Sequence, residues 1–272
     1  MSHSNSSIPA FRKTIWAYYR AHKRPMSWRE TKDSYKIFVS EIMLQQTQVS
    51  RVQEKYPAFI KAFPSFAALA SASPAAVIAA WQGLGYNRRA LFLKRSAEII
   101  MRDYRGYLPD DEGKLRQLPG VGPGTAGSLL AFAFNKPSVF IETNIRRVFI
   151  HFFFPKKKQV SDEALMPLVA AAVDKRRPRE WYWALMDYGS MMKEMGDNPN
   201  RRSKHYVKQK AFEGSLRQLR GAVVRALVHT SPMTASGLSK VTGCPDAQMS
   251  LALERLCREG FLVKMRGRYQ LS

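Results

Sequence analysis

A helical body closing in a small mixed α+β module is the fold class this sequence predicts. Two patterns carry the prediction. From residue 8 to residue 192 apolar side chains recur at the three- and four-residue spacing of helices, broken by short turns rich in Gly, Pro and Ser. Near the C-terminus, residues 261–270 (FLVKMRGRYQ) instead read as two short strands about a turn at Gly267. With 45% hydrophobic and 11% aromatic residues among 272, the chain can bury a sizeable core, enough for one large domain plus a small one. The expected division is 1–214 and 215–272.

The elements follow in order. Residues 8–22 form an amphipathic helix with Phe11, Ile15, Trp16 and Tyr19 on one face. A loop carrying Trp28 and Arg29 leads to an apolar helix over 35–44 (YKIFVSEIML), interrupted by Ser40 and Glu41 and closed by Gln45-Gln46-Thr47. Residues 48–63 give a further helix or a pair of helices, and 66–70 and 75–81 give shorter ones. The string GLGYNRR at 83–89 is a turn, before a basic helix over 90–105 and a short one over 114–118. A turn-forming cluster, PGVGPG at 119–124, opens a helix over 125–134. Helices over 144–154, 161–173 and 179–192 complete the large domain, with the loop Lys156-Lys157-Lys158 between the first two. Helices over 216–229, 234–242 and 246–259 then precede the hairpin.

Charge narrows the function. Forty-four basic against 21 acidic side chains leave a net +23, which predicts a polyanionic partner, nucleic acid first. The basic residues are spread along the chain, so an anionic membrane surface is the weaker candidate. The longest apolar run, 75–81, is seven residues, too short to span a bilayer, and the N-terminus lacks a signal pattern; an intracellular, cytoplasmic protein is expected. Cys244 and Cys257 form no CxxC pair, so neither a zinc site nor a disulfide framework is expected.

Two carboxylates stand out. Glu41 sits among Val39, Ile42, Met43 and Leu44, where partial desolvation would raise its pKa into a general-acid range; a solvent-facing helix glutamate is the plainer alternative. Glu142 follows the apolar triplet Val139-Phe140-Ile141. Three glycines in the five residues 120–124 leave backbone N–H groups uncovered at a helix start, which favours a phosphate; an ordinary glycine-rich turn is the alternative.

Spacing decides. LPGVG, an apolar helix, and then Glu142, Asn144, Arg146 and Arg147 resemble the hairpin and catalytic segment of the helix-hairpin-helix (HhH-GPD) DNA glycosylases, whose carboxylate stands 18 residues past the last loop position, here Gly124 to Glu142. SEIMLQQTQV resembles the segment carrying the catalytic glutamate of MutY-type adenine DNA glycosylases, and GLGYNRRA that family's GLGYxxRA turn. The resemblance implies two helical subdomains with a DNA cleft, Glu41 as general acid and Glu142 as its partner. It implies a base pocket from Trp28, Arg29, Gly124, Asn144 and Asp187, and insertion of Gln45, Gln46 and Tyr86 into the duplex. A phosphate grip by Gly120, Val121, Gly122, Gly124 and Thr125 is implied too, with backbone contacts from Arg88, Arg89, Arg146, Arg201 and Arg202. The C-terminal module resembles a winged helix, which would contact DNA through its third helix and a wing with the cations Lys264, Arg266 and Arg268; a structural or protein-binding role is the alternative.

Breaking an N-glycosidic bond needs a proton for the leaving base and an anion for the oxocarbenium-like sugar, and two carboxylates with separated pKa values divide that work. The implied function is base excision repair on double-stranded DNA, monofunctional because Gly124 stands where relatives that form a Schiff base carry lysine. A purine, adenine above all, is the expected base. A thymine or uracil mismatch glycosylase, and a catalytically retired DNA-binding protein, are the alternatives.

Four departures qualify the resemblance. The family's second carboxylate is aspartate, and Gly124 is smaller than the Ser, Tyr or Lys of relatives; the vacant side chain at 124 is expected to make room for the longer Glu142. The family's four cluster cysteines fall on Lys193, Asn200, Ser203 and Gln209, so no iron–sulfur cluster is expected. The basic run 201–210 would make that region's DNA contacts instead. No cofactor is expected, and no metal beyond a monovalent cation at the hairpin. A winged helix replaces the domain that reads 8-oxoguanine, which leaves the opposite base open. A monomer is expected.

Overall fold

Short polar residues mark the start of six of this chain's described helices. The computed structural model describes residues 7–207 and 213–272. In order these form α1 (Ile8–His22), a 3-10 turn (Ser27–Arg29), α2 (Ser34–Leu44), α3 (Val49–Ala62), α4 (Phe66–Ser71), α5 (Pro74–Ala80), α6 (Arg88–Asp103) and α7 (Glu112–Arg116). They continue as α8 (Pro123–Phe134), α9 (Thr143–Phe153), α10 (Asp162–Ala172), α11 (Pro178–Glu194) and a second 3-10 turn (Pro199–Arg202). The C-terminal segment adds α12 (Leu216–His229), β1 (Met233–Thr234), α13 (Ala235–Thr242), α14 (Asp246–Arg258), β2 (Leu262–Met265) and β3 (Arg268–Leu271). The side chains of Ser7, Ser65, Ser73, Asp111, Ser215 and Thr234 each accept an amide from the first turn of the helix that follows. Residues 48–63 prove to be one helix, α3, despite Pro57 inside it.

The described residues divide into two compact units. The first gathers those of Met1–Glu41, Asp110–Gln117 and Val121–Lys208. Its core is aromatic: the Phe11 ring of α1 lies edge-on to Phe149 and Phe153 of α9, at 5.0 and 5.1 Å, and to Trp181 of α11 at 5.9 Å. Gly127 is required within α8, because a Cβ there would lie 2.7 Å from Phe140.

The second unit gathers Ile42–Pro109, Leu118–Gly120 and the described residues of Gln209–Ser272. Its strands run in the order β1-β3-β2, all antiparallel. Arg266 and Gly267 turn β2 into β3 with positive φ at both positions, the conformation that matches strand twist in a two-residue hairpin. β1, two residues long, carried no pattern that sequence could show.

The expected division at 214/215 differs from these units. Val223, Val224, Leu227, Leu256 and Phe261 share one buried cluster with Ile78 of α5 and Leu91 of α6, and the Ala75 amide donates to the Ser272 carbonyl at 3.0 Å. Three short helices and three short strands bury little apolar area alone, so the module completes its core on α5 and α6.

Candidate active site

In the first unit Glu41 projects from α2, whose neighbouring residues Ile37, Phe38, Val39 and Ser40 are buried. The residue keeps part of its surface open while protein crowds its carboxyl. Burial pushes its pKa up to about 7, the Glu142 charge adds to the rise, and a Ser128 hydrogen bond and Arg29 oppose it. The single Ser128 hydroxyl proton lies within reach of two acceptors, Glu41 Oε2 at 2.6 Å and the Thr125 carbonyl at 3.0 Å. A protonated Glu41 can donate to Ser128 Oγ while Ser128 donates to Thr125, so the neutral acid leaves no polar atom stranded. The sequence reading missed Ser128; its one signal was a hydroxyl beside the apolar run Leu129–Phe134.

Glu142 is the N-cap of α9. Its Oε1 accepts from the amides of Asn144 and Ile145 at 2.8 and 2.9 Å, and its Oε2 from Asn144 Nδ2 at 3.3 Å. Burial raises this carboxyl above its ordinary range, against the pull of those two amides and of Arg147 and Arg146. With Glu142 charged, Glu41 holds its proton the more readily. Glu142 receives N–H donors on both oxygens, so ionisation suits it better than Glu41.

The extra methylene of Glu142 lets the side chain fold back onto its own helix. A Cβ at 124 would meet only the Ile141 carbonyl oxygen within 4 Å, at 3.8 Å, so the open space beside Gly124 borders the residue just before Glu142. Asn144 is held in turn by Arg147, whose buried guanidinium donates to Asn144 Oδ1 at 2.7 Å and to the Gly189 carbonyl at 2.5 Å. Sequence gave no hint of Arg147 in this role. A Cβ at Gly189 would sit 2.6 Å from the Asn144 carbonyl oxygen. Gly189→Ala should therefore push Asn144 and the cap aside, destabilising the fold by about 1–3 kcal/mol in urea unfolding and slowing base release.

Asp187 corrects an expectation. It is buried, and both oxygens are taken: Arg24 Nε donates to Oδ1 at 2.6 Å, while Arg29 Nη1 and Nη2 donate to Oδ2 and Oδ1 at 2.8 and 2.9 Å. An acceptor so occupied is not a base-pocket wall; it fixes the loop bearing Trp28 and Arg29, with Trp28 itself buried. Arg24 was not anticipated.

At the hairpin, Gly120 holds φ at +78°, and a Cβ there would lie 2.9 Å from Phe92. Gly122 starts α8 with no side-chain cap and Pro123 has no N–H, so the Gly124 amide lies in a helix first turn, where no carbonyl within the helix accepts it and an anion is favoured. Val121 is buried; only its backbone can serve there.

The second unit carries Gln45, Gln46 and Tyr86. Gln46 and Tyr86 both sit in the left-handed region, at φ 53° and 46°, a strained conformation for such residues. Gln45 Nε2 donates to the Gly120 carbonyl at 3.1 Å. Arg89, expected on the DNA backbone, is buried instead. It donates to the carbonyls of Ile42, Met43 and Gly85 at 2.8, 2.7 and 3.0 Å and to Thr47 Oγ1 at 2.7 Å, tying the two loops together. Arg88 remains exposed.

Two more expected backbone contacts are already engaged within the first unit. Arg146 pairs with Asp162 through two 2.7 Å bonds, and Arg202 donates to the Phe154 and Pro155 carbonyls that end α9. Arg201, Lys264, Arg266 and Arg268 are exposed.

The residues at the family's cluster positions do not fit a cluster. Asn200 donates to the Thr143 carbonyl at 2.8 Å, the Val160 amide donates to the Arg202 carbonyl at 2.8 Å, and Lys204 donates back to Val160 at 2.9 Å. Lys193 offers no sulfur, and Gln209 lies outside the described residues, as does the end of the basic run. Among the described residues no group of three His, Cys, Asp or Glu could hold a metal ion.

Paired carboxyls beside a glycine hairpin, on a helical scaffold, define a class that comparison identifies directly. Residues 39–170 match the HhH-GPD superfamily of base excision DNA repair proteins, and the chain belongs to that family. Its relatives include an adenine DNA glycosylase of Mycobacterium tuberculosis, 32% identical over 94% of this chain and 92% of the relative. Another is the adenine DNA glycosylase of Buchnera aphidicola, also 32% identical, over 64% of this chain but only half the length of the relative. The solved structure of a thermostable thymine-DNA glycosylase superposes with a TM-score of 0.61 at 25% identity, over 70% of this chain and 89% of that one. Among the described residues no helix is long and apolar enough to cross a membrane.

Proposed function

We infer that this protein is a DNA glycosylase of base excision repair that removes adenine from double-stranded DNA. One observation carries the reading: Glu41, 101 positions before Glu142 in sequence, holds Ser128 of the hairpin helix at 2.6 Å and stands near enough to Glu142 for that charge to raise its pKa. Glu41 gives its proton to the departing base as the C1′–N bond breaks. Glu142, ionised, steadies the positive charge left on the sugar and orients the water whose oxygen bonds to C1′. The released proton restores Glu41, and an abasic site remains.

Gly124 carries no amine, so no Schiff base forms there and the strand is not nicked through that route. The hairpin amides hold a phosphate, while the strained Gln46 and Tyr86, with Gln45, fill the space the base vacates. Arg24, Arg29 and Asp187 keep the Trp28 loop rigid beside Glu41. The protein acts as a monomer, without an iron–sulfur cluster, and its C-terminal module is a winged helix.

Base release from duplexes carrying adenine opposite each partner, and from thymine and uracil mismatches, tests this. Purified protein should release adenine, and Glu142→Gln should release it about a hundred-fold more slowly or worse. Equal, near-zero release by both would leave a DNA-binding protein on a retired scaffold, and release of a pyrimidine alone would move the substrate.

A further inference from the structure

The second unit contains a groove of about 1370 Å³ that no part of the reading above assigns as a whole. One wall holds Gln45, Gln46, Tyr86 and Arg88. The other comes from the C-terminal module: Arg217, Arg220 and Arg225 of α12, with Arg255 of α14. Among the described residues eight basic side chains line it against two acidic ones. Both acids are paired, Glu54 with Lys55 at 3.0 Å and Glu259 with Arg220 at 2.5 Å. The imbalance leaves the groove strongly positive.

The two walls meet at Tyr86. The Arg217 guanidinium carbon stands 5.8 Å from the Tyr86 ring centroid and the Arg89 guanidinium carbon 5.6 Å from it, and Arg217 Nη1 lies 3.4 Å from the Tyr86 hydroxyl. The module shares its buried core with Ile78 of α5 and Leu91 of α6. The hairpin cations Lys264, Arg266 and Arg268 do not line the groove.

We propose that α12 is the DNA-contacting helix of the C-terminal module, with Arg217 and Arg225 gripping phosphates of the same duplex that Gln45, Gln46 and Tyr86 enter, in place of the third helix and wing on which winged helices commonly rely. The occupant is duplex DNA because the groove pairs a strongly cationic wall with a planar ring in a strained loop, which suits phosphates flanking disturbed bases. The proposal rests on the reading that those loops enter DNA.

Binding of the full chain to a duplex bearing a single reduced abasic site, followed across salt concentrations, tests it. Every protein carries Glu41→Gln so that chemistry plays no part. Adding Arg217→Ala and Arg225→Ala should weaken binding at least ten-fold and flatten the log–log salt slope by about 2. Arg225→Glu alone, at an exposed position away from Tyr86, should weaken it several-fold with an unchanged melting temperature. The triple change Lys264→Ala, Arg266→Ala, Arg268→Ala should cost less than the α12 pair. Unaltered affinity and slope in both α12 variants overturns the proposal while the glycosylase reading stands. Salt-independent or absent binding by the Glu41→Gln parent overturns the reading beneath it as well.

Discussion

Glu41→Gln should slow adenine release by about a hundred- to ten-thousand-fold while leaving duplex affinity within a factor of a few. Glutamine keeps the size and a donor for the neighbourhood of Ser128 but has no proton to give. In the parent protein the working form is the neutral acid. With a pKa of about 7, pushed there chiefly by burial, activity should be full below that pH and fall as the pH rises through it. The same sign governs stability. A carboxyl whose folded pKa lies above its unfolded 4.5 favours the fold below 4.5, and that advantage is lost as pH rises from there to about 7. Above pH 7 the ionised folded state is disfavoured by about 3 kcal/mol at most, so Glu41→Gln should melt higher than the parent at pH 8. Single-turnover base release and thermal melts at pH 6 and pH 8 read both effects. An alkaline limb that persists in Glu41→Gln would remove Glu41 from the acid role.

Arg89→Met should produce the largest loss of stability, about 3–5 kcal/mol, or roughly 6–20 °C in melting temperature. The guanidinium is buried, yet bonded to three carbonyls and a hydroxyl drawn from Ile42, Met43, Thr47 and Gly85. Methionine fills much of the volume and satisfies none of them. Lysine keeps the charge but, as a point donor, cannot span both loops, and should recover only part of the loss. A melt within a degree of the parent would show that these carbonyls find other partners.

Much of this protein is legible in its sequence because the signals are local. Each long helix announces itself by apolar spacing, and α7 and α8 by the turn residues between them. The two carboxylates were legible through spacing to motifs. What sequence did not show is where a charge ends up. Arg89, Arg146, Arg202 and Asp187 look like surface or ligand-facing groups until tertiary structure supplies their partners, 42 to 163 residues away for Arg89 with Thr47 and Asp187 with Arg24. Ser128 was invisible, and Arg147, though visible beside Glu142, showed nothing of its hold on Asn144, for the same reason: each acts through a neighbour that only folding provides. Glu142 was recognised as an acid but not as a helix cap, since glutamate is a poor substitute for aspartate at such a position unless its extra length is folded back.

Through Arg89, residues 45–47 and 83–89 behave as one inherited part. Transplanting either string into another scaffold would carry over its letters but leave behind the clamp that sets its shape. Drift at one string therefore narrows what the other can tolerate, and a chimera should work only when both strings and the arginine travel together.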